Sequence, residues 1–403
     1  MDVFKQLRRR FNIAKQIDHR NLSRVTNTKL VLQELFNQPE TSRADIARNL
    51  GLNKATVSSI YNDLDDQGFI EEVRVGHSTN NGGRRPKLVR LNRNYGFVAS
   101  FNIGTNHLSS MFNFVTGELI RYNKEPIAKF DILSIMQMIK QELTQMQRAN
   151  ETMHGLLAIG FSIHGIVDNN QIIDSPFLQL QGIDLQQYFE HEFNVPVVLE
   201  NEANLSATFE HDFYVNNRIK NLISISIHRG IGMGVIANGH LYRGYRGMAG
   251  EIGRALTTDG DNHRVKVESL CSEDVILQQV QKLVGKEKFE QQSLADLYQQ
   301  NADVQVIFDR AARLLAEVTY NAEVCFGPQE IFFNAALLEA VPAFYANLKQ
   351  ELAALPSEAP IKMVYGSRLT SLYGCASLSI HHVLDMVGYH LKFKLPKEIQ
   401  LSD

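Results

Sequence analysis

Cysteine is scarce in this sequence, and long apolar runs are absent from it. The three cysteines, Cys271, Cys325 and Cys375, lie far apart without a C-x-x-C pair, which excludes a disulfide framework and a cysteine-rich metal site. No run reaches the ~20 apolar residues that a membrane-spanning helix needs. The basic N-terminus lacks the apolar core of a secretory signal. We therefore expect a cytoplasmic protein without a membrane partner.

The composition is that of a globular protein whose charge is unevenly distributed. The chain has 403 residues, of which 44% are hydrophobic and 21% charged, and this length predicts two or three domains. Residues 1–93 contain 17 Lys and Arg against 10 Asp and Glu, whereas the remainder contains 24 against 34. A basic N-terminal segment on an acidic body is typical of proteins that bind a polyanion through that segment, although drift between domains gives the same imbalance.

The basic segment has the pattern of a helix-turn-helix. The stretch SRADIARNLGL predicts a short helix that ends at Gly51, and Asn53 is placed to cap a second, longer helix. In the second helix apolar residues recur at i, i+3, i+4 and i+7, from Val57 to Leu64. Its outward-facing polar residues are the candidates to reach base edges in a major groove: Lys54, Thr56, Ser58, Ser59 and Asn62.

A wing follows the second helix. Two predicted strands, IEEVRVG and KLVRLN, enclose the loop HSTNNGGRRP, in which Arg84 and Arg85 could enter a narrow minor groove. A helical protein–protein module with a solvated basic loop is the alternative. The order of the helices, the glycine position and the basic wing together favour DNA.

From Tyr95 onwards strands alternate with helices, and polar residues gather where strands end. This texture predicts an α/β fold with its site in a cleft. Five motifs follow in order: GIVD (165–168), ENEAN (200–204), GIGMG (230–234), GMAGEIGRA (247–255) and VESLCS (267–272).

These motifs resemble the ROK family (repressors, open reading frames, kinases), and the N-terminal segment resembles the winged helix of its repressors. The resemblance implies an N-terminal winged helix-turn-helix, with a basic arm, on a two-lobed, actin-like sugar-kinase body. The expected divisions are a DNA-binding domain (1–93), a first lobe (94–205 and 380–403) and a second lobe with the cleft and dimer contacts (206–379). It also implies a homodimer or dimer of dimers on a palindromic operator.

The resemblance further implies a set of sugar-binding residues: Asn201, Glu202, Glu251, Arg254 and Glu268. Glu202 stands where the family's kinases place an Asp as general base, and its extra methylene would carry the carboxylate past the sugar hydroxyl. We therefore expect no catalytic residue. Arg254 stands where the family has His, and we expect it to pair with Asp259, Asp261 or a pocket glutamate.

No cofactor is expected. The zinc-binding members of the family carry a C-x-C-G-x-x-G-C loop, and the corresponding stretch here offers only Cys271 and His263, too few for a closed zinc site. For ATP, Asn102 replaces the Asp of the first phosphate loop, His228 and Arg229 replace the small residues of the second, and Ala335-Ala336 replaces the adenosine glycines.

The sequence thus predicts a non-enzymatic, sugar-responsive transcriptional repressor that loses affinity for double-stranded operator DNA when a small aldose enters the cleft. The chain resembles most the xylose-repressor branch of the family, which implies xylose or glucose as effector. The alternatives are an active sugar kinase with a fused DNA-binding domain, and a repressor released by a partner protein.

Overall fold

The computed structural model describes residues 19–76, 85–104, 106–127, 131–176, 178–216, 218–285 and 291–401. The N-terminal elements are α1 (His19–Asn37), α2 (Arg43–Leu50), α3 (Lys54–Asp66), β1 (Ile70–Val75) and β2 (Lys87–Leu91).

The helix-turn-helix forms for the local reasons that the sequence indicates. Ser42 caps α2 by accepting a hydrogen bond from the Asp45 amide. Gly51 ends that helix in the left-handed region, at φ 64°, where a side chain would be strained. Asn53 then caps α3. The predicted apolar face of α3 is buried, from Val57 to Leu64. The predicted helix pair is therefore confirmed.

The first lobe is built on a five-stranded sheet. Its order is β5-β4-β3-β6-β9, with β3, β6 and β9 parallel and β3, β4 and β5 antiparallel. The elements are β3 (Phe97–Ile103), β4 (His107–Phe114), β5 (Leu119–Pro126), α4 (Ile132–Ala149), β6 (Leu156–Ile163), β7 (Ile166–Asp168), β8 (Gln171–Asp174), α5 (Leu185–Phe193) and β9 (Val197–Asn201).

The second lobe is built on a six-stranded sheet of order β12-β11-β10-β15-β16-β17. Its strands are β10 (Leu222–Ile227), β11 (Ile231–Ala237), β12 (His240–Leu241), β15 (Glu330–Asn334), β16 (Ile361–Tyr365) and β17 (Gln400–Leu401), with a separate hairpin of β13 (Leu256–Thr258) and β14 (Arg264–Lys266). Its helices are α7 (Glu268–Cys271), α8 (Glu273–Val284), α9 (Gln291–Gln300), α10 (Ala302–Phe326), α11 (Ala336–Ala340) and α12 (Pro342–Ala353).

Two helices cross between the lobes. They are α6 (Glu202–Phe209), which follows β9 directly and continues as a π turn (Glu210–Tyr214), and α13 (Thr370–Val383). A Cβ added at Gly374 would lie 1.8 Å from the carbonyl oxygen of Leu205, so only glycine permits this approach.

The lobe boundaries differ from the predicted ones. The expected cut after residue 205 falls inside α6. Helix α13, which packs on β3 and β6, begins at Thr370, ten residues before the expected return to the first lobe at 380. The chain end does not stay with that lobe, because Gln400 and Leu401 pair with β16 of the second sheet. Both expected boundaries therefore fall inside the crossing helices, α6 and α13.

Candidate functional sites

The outward face of α3 is available for contact. Lys54, Ser59 and Asn62 are exposed, and Thr56 and Ser58 are half-buried. All five therefore lie on the solvent side of the helix, as the sequence predicts.

Two arginines flank this face that the sequence does not mark as DNA-binding candidates. Arg24 of α1 donates to Ser59 (3.2 Å) and to Asp63 (2.6 Å). Arg43, the exposed first residue of α2, stacks on the ring of Tyr61 at 3.8 Å. In the sequence Arg24 and Arg43 appear only as basic residues outside the second helix. Nothing in the sequence shows that they lie next to that helix.

The wing strands are antiparallel, with Val75 opposite Lys87. Beyond them Arg85 is exposed, whereas Arg84 lies outside the described residues. Three ion pairs hold the wing base, namely Arg74–Glu40, Lys87–Glu72 and Arg90–Glu71. Arg85 thus lies at the end of the loop, two residues before β2 begins at Lys87.

The side chain of Asn201 makes hydrogen bonds to the backbone of its own lobe and of α6. Its Oδ1 accepts from the amides of Ala203 (2.9 Å) and Asn204 (3.1 Å) and caps α6, while its Nδ2 donates to the carbonyl of Gly165 at 2.7 Å. These bonds fix the side chain at the point where β9 ends and α6 begins.

Glu202, the first residue of α6, is buried and paired. Its Oε1 accepts from Ser206 (3.2 Å) and Ser226 (3.4 Å), and lies 3.5 Å from Nε2 of His228. Burial alone would raise the pKa of Glu202, but the charge and hydrogen bond of His228 outweigh it and lower that pKa to about 2. Burial likewise opposes the charge on His228, yet Glu202 raises its pKa. In the sequence, His228 is recognisable only as a replacement for a small phosphate-loop residue, and its pairing with Glu202 could not be predicted.

A second group of charges forms where three loops meet. Arg254 donates from Nη2 to Asp174 (2.9 Å) and pairs through Nε with Glu251 (2.8 Å). Burial raises the pKa of Glu251; Arg254 opposes this shift, while Glu268 and Asp174 add to it. A pocket glutamate is thus the partner of Arg254, as expected. Of the three alternatives, the glutamate is the one that pairs with Arg254. Asp174 was not foreseen, because it lies 80 residues away in the sequence.

Glu268 lies against the glycine turns. Its Oε2 would be 3.1 Å from a Cβ added at Gly230 and 3.0 Å from one added at Gly253. The charge of Glu268 also reaches Glu251. The structure therefore brings Glu251, Arg254 and Glu268 together with Asp174, a cluster that we call the carboxylate–arginine group.

The glycines of GIGMG have packing roles. A Cβ at Gly234 would lie 2.2 Å from the carbonyl oxygen of Ala203, and one at Gly232 would lie 3.1 Å from the Ala203 Cβ. Helix α6 therefore rests directly on β11. The pattern alone does not indicate a phosphate loop.

At the position of the kinase phosphate-loop Asp, Asn102 is held by neutral partners. Its Nδ2 donates to Ser162 and Ser371 (3.3 Å each), and its Oδ1 lies 3.2 Å from Nε2 of His164. Burial lowers the pKa of His164, which favours the neutral ring. This arrangement ties β3 to α13.

The residues present do not fit the zinc site of the family. Cys271 is buried, its thiol donates to the carbonyl of Val267, and burial raises its pKa to about 12, whereas zinc binds the thiolate. Within the described part of the chain, one cluster has metal-ligand spacing, namely Asp259, Asp261 and His263. Its members are half-buried or exposed, and the Asp259 carboxylate already accepts hydrogen bonds from the backbone amides of the other two.

Among the residues that the structure describes, no helix combines the length and apolar character needed to cross a bilayer.

Comparison with known proteins identifies the family. The ROK family model matches residues 103–371, and a winged helix-turn-helix DNA-binding model matches residues 26–71. This chain belongs to the ROK family. The predicted fold, a winged helix-turn-helix on a ROK body, is confirmed.

Several relatives of this ROK protein are named repressors. The chain is 40% identical to the xylose repressor of Lactiplantibacillus pentosus, over 94% of this chain and 99% of that protein. It is 34% identical to the xylose repressor of Staphylococcus xylosus, over 84% and 89%.

Among solved structures, a ROK family transcriptional regulator described as a homologue of the E. coli MLC protein superposes with a TM-score of 0.73. It is 18% identical and covers 92% of this chain and 99% of that chain. A ROK hexokinase from Thermus thermophilus gives a TM-score of 0.60 at 17% identity, over 72% and 99%. These likenesses show the shared fold.

Proposed function

We propose that this ROK protein is a sugar-responsive transcriptional repressor and not a kinase. The observation that carries this proposal is the pairing of Glu202 with His228 in a body joined to a winged helix. A general base must be free to accept a proton from the sugar hydroxyl. Glu202 is buried, ionised and held by His228 and two serines, which makes it a poor base.

The carboxylate–arginine group is suited to bind a sugar. Carboxylates accept hydrogen bonds from adjacent hydroxyls, and a guanidinium donates to them. Glu251 has a raised pKa because burial and neighbouring carboxylates disfavour its charge. Hydroxyl donors would stabilise that charge. The relatives named xylose repressors favour D-xylose as the effector.

The exposed face of α3, with Arg85 of the wing, would bind operator DNA. Thr56, Ser58 and Asn62 present short donors and acceptors for base edges. Arg24 and Arg43 lie beside this face, where their charge suits backbone phosphates. A homodimer on a palindromic operator would place two such helices in successive major grooves.

The test measures DNA affinity with and without sugar. A duplex selected by the full-length protein from a random library is labelled, and its binding is followed by fluorescence anisotropy at fixed salt. We expect saturating D-xylose to weaken binding by roughly 5- to 150-fold, the usual range of coupling between two sites. D-glucose and L-arabinose serve as comparison sugars. An affinity unchanged by all three sugars would contradict the proposal and favour release by a partner protein.

A further inference from the structure

The DNA-binding domain is attached to the body through a segment near the end of the chain, residues 385–393. Asn37, the last residue of α1, donates to the carbonyl of His390 (2.9 Å) and accepts from the amide of Lys392 (2.8 Å). An ion pair of 2.7 Å joins Lys29 to Asp385. The orientation of α1 therefore depends on where this segment lies.

The same segment rests on the π turn. The Phe393 ring contacts Phe36 of α1 on one side (5.0 Å between centroids) and stacks on Phe213 of the π turn on the other (4.6 Å). The Phe393 amide also donates to the carbonyl of Asp212 at 3.3 Å. A single aromatic side chain thus lies between the DNA-binding domain and the π turn.

Asp212 fixes the π turn against α13. Its buried carboxylate accepts a short hydrogen bond from Ser377, lies 3.4 Å from Nε2 of His381, and is 2.8 Å from Nδ1 of His211. Although burial opposes its charge, the two histidines lower its pKa. Ser377 and His381 both belong to α13, the helix that packs on the first sheet.

The π turn is also attached to the second lobe. Glu210 is fully buried, and its Oε1 accepts from Nδ2 of Asn334 at 2.6 Å, at the end of β15. Asn334 in turn donates to Ser224 of β10 (2.8 Å). Segments from both lobes therefore meet at the five residues of the π turn, and the DNA-binding domain reaches the turn through Phe393.

At its other end the turn continues the helix that begins in the cleft. Glu202 starts α6, and Ser206, one turn later, bonds both to Glu202 (3.2 Å) and to Thr370 of α13 (3.0 Å). The helix then changes to i→i+5 bonding, as the Val215 amide donates to the carbonyl of Glu210. A π turn is a rare insertion in a helix, and such insertions occur frequently at functional sites.

We propose that the π turn Glu210–Tyr214 carries the effect of sugar binding from the cleft to the DNA-binding domain. This inference rests on the proposed function. Sugar that draws the lobes together moves α6 relative to α13, and the attachments of Asp212 and Glu210 convert that motion into a displacement of segment 385–393. Asp212 acts here as a positioning residue, because it touches neither sugar nor DNA.

The test compares two variants of the full-length protein with a matched control. Asp212→Asn keeps the shape but removes the charge that holds His211 and His381, and Asn37→Ala removes the two bonds between α1 and segment 385–393. Asp309→Asn is the control, since Asp309 also accepts two side-chain hydrogen bonds, from Tyr298 and Asn347 in the second lobe. For each protein, D-xylose affinity, duplex affinity and duplex affinity at saturating D-xylose are measured.

We expect both variants to bind D-xylose and the duplex separately within about threefold of the parent. The factor by which D-xylose weakens duplex binding should fall at least fivefold in both and stay unchanged in Asp309→Asn. A structural role alone would lower the melting temperature without moving this factor. Should Asp212→Asn fail to fold, Asn37→Ala decides, because it lies at the domain surface.

Two failures are distinguishable. If the parent protein shows no coupling between D-xylose and DNA, the proposed function fails and the relay with it. If the parent couples and both variants couple equally well, the relay alone is overturned. Hydrogen exchange gives an independent reading without DNA: D-xylose should change the protection of residues 209–216 and 385–393 in the parent, and unchanged protection there overturns the relay.

Discussion

Two glutamates among the predicted sugar ligands, Glu202 and Glu251, have pKa values shifted in opposite directions by their surroundings. Glu202 is buried but paired with His228, and its pKa is lowered to about 2. Glu251 lies beside Arg254, but burial, Glu268 and Asp174 together raise its pKa. The charge of Glu202 is compensated by His228, and this pair stabilises the fold. The charge of Glu251 would be stabilised further by additional hydrogen-bond donors. Sugar recognition should therefore depend on the second glutamate and stability on the first.

The largest effect is expected at the carboxylate–arginine group. Arg254→Ala removes the donor and leaves Asp174 and Glu251 uncompensated, so the D-xylose dissociation constant should rise roughly 10- to 100-fold, as for loss of a charge-assisted pair. Titration calorimetry measures this. Arg313→Ala, which removes an exposed pair with Glu351 in the second lobe, is the control. Unaltered sugar affinity in Arg254→Ala would show that the sugar lies elsewhere.

A smaller, pH-dependent effect is expected at the Glu202–His228 pair. The Glu202 pKa is lowered on folding, so its contribution to stability is present above about pH 4.5 and disappears as the pH falls towards 2. The His228 pKa is raised, so its contribution is present below pH 6.5 and disappears as the pH rises through the folded value. The pair should therefore stabilise most near pH 5 to 6.5.

His228→Gln tests this window. We expect it to lower the free energy of unfolding by roughly 1–2 kcal/mol near pH 6, and the difference from the parent should shrink as the pH rises through the folded pKa of His228. Urea unfolding at several pH values measures both quantities. His263→Gln, at an exposed histidine, should show neither effect. A difference that grows with pH would mean that His228 is neutral in the folded protein.

Local patterns made much of the fold predictable. The caps at Ser42 and Asn53, the glycine at Gly51 and the apolar face of α3 act within a few residues of one another, so one stretch of sequence contains the whole cause. The motif order made the family predictable in the same way.

The remaining features depend on contacts between distant segments. Asp174 and Arg254 are 80 residues apart, and Asp212 and Ser377 are 165 apart, so no local spacing indicates either pair. The motif predicts Asn201 as a sugar ligand, but the bonds by which its side chain caps α6 and holds the Gly165 carbonyl could not be read from it. The expected lobe boundaries fall inside the two crossing helices, whose extents depend on contacts between distant segments.

The kinase-like body of this protein should bind a sugar without phosphorylating it. The most direct measurement is a calorimetric titration of D-xylose into the full-length protein in the presence of Mg-ATP, with ADP formation followed in the same sample. We predict saturable sugar binding with no ADP above the background of the protein without sugar. Sugar-dependent ADP release, abolished by Glu202→Gln, would contradict the account and identify a kinase with a fused DNA-binding domain.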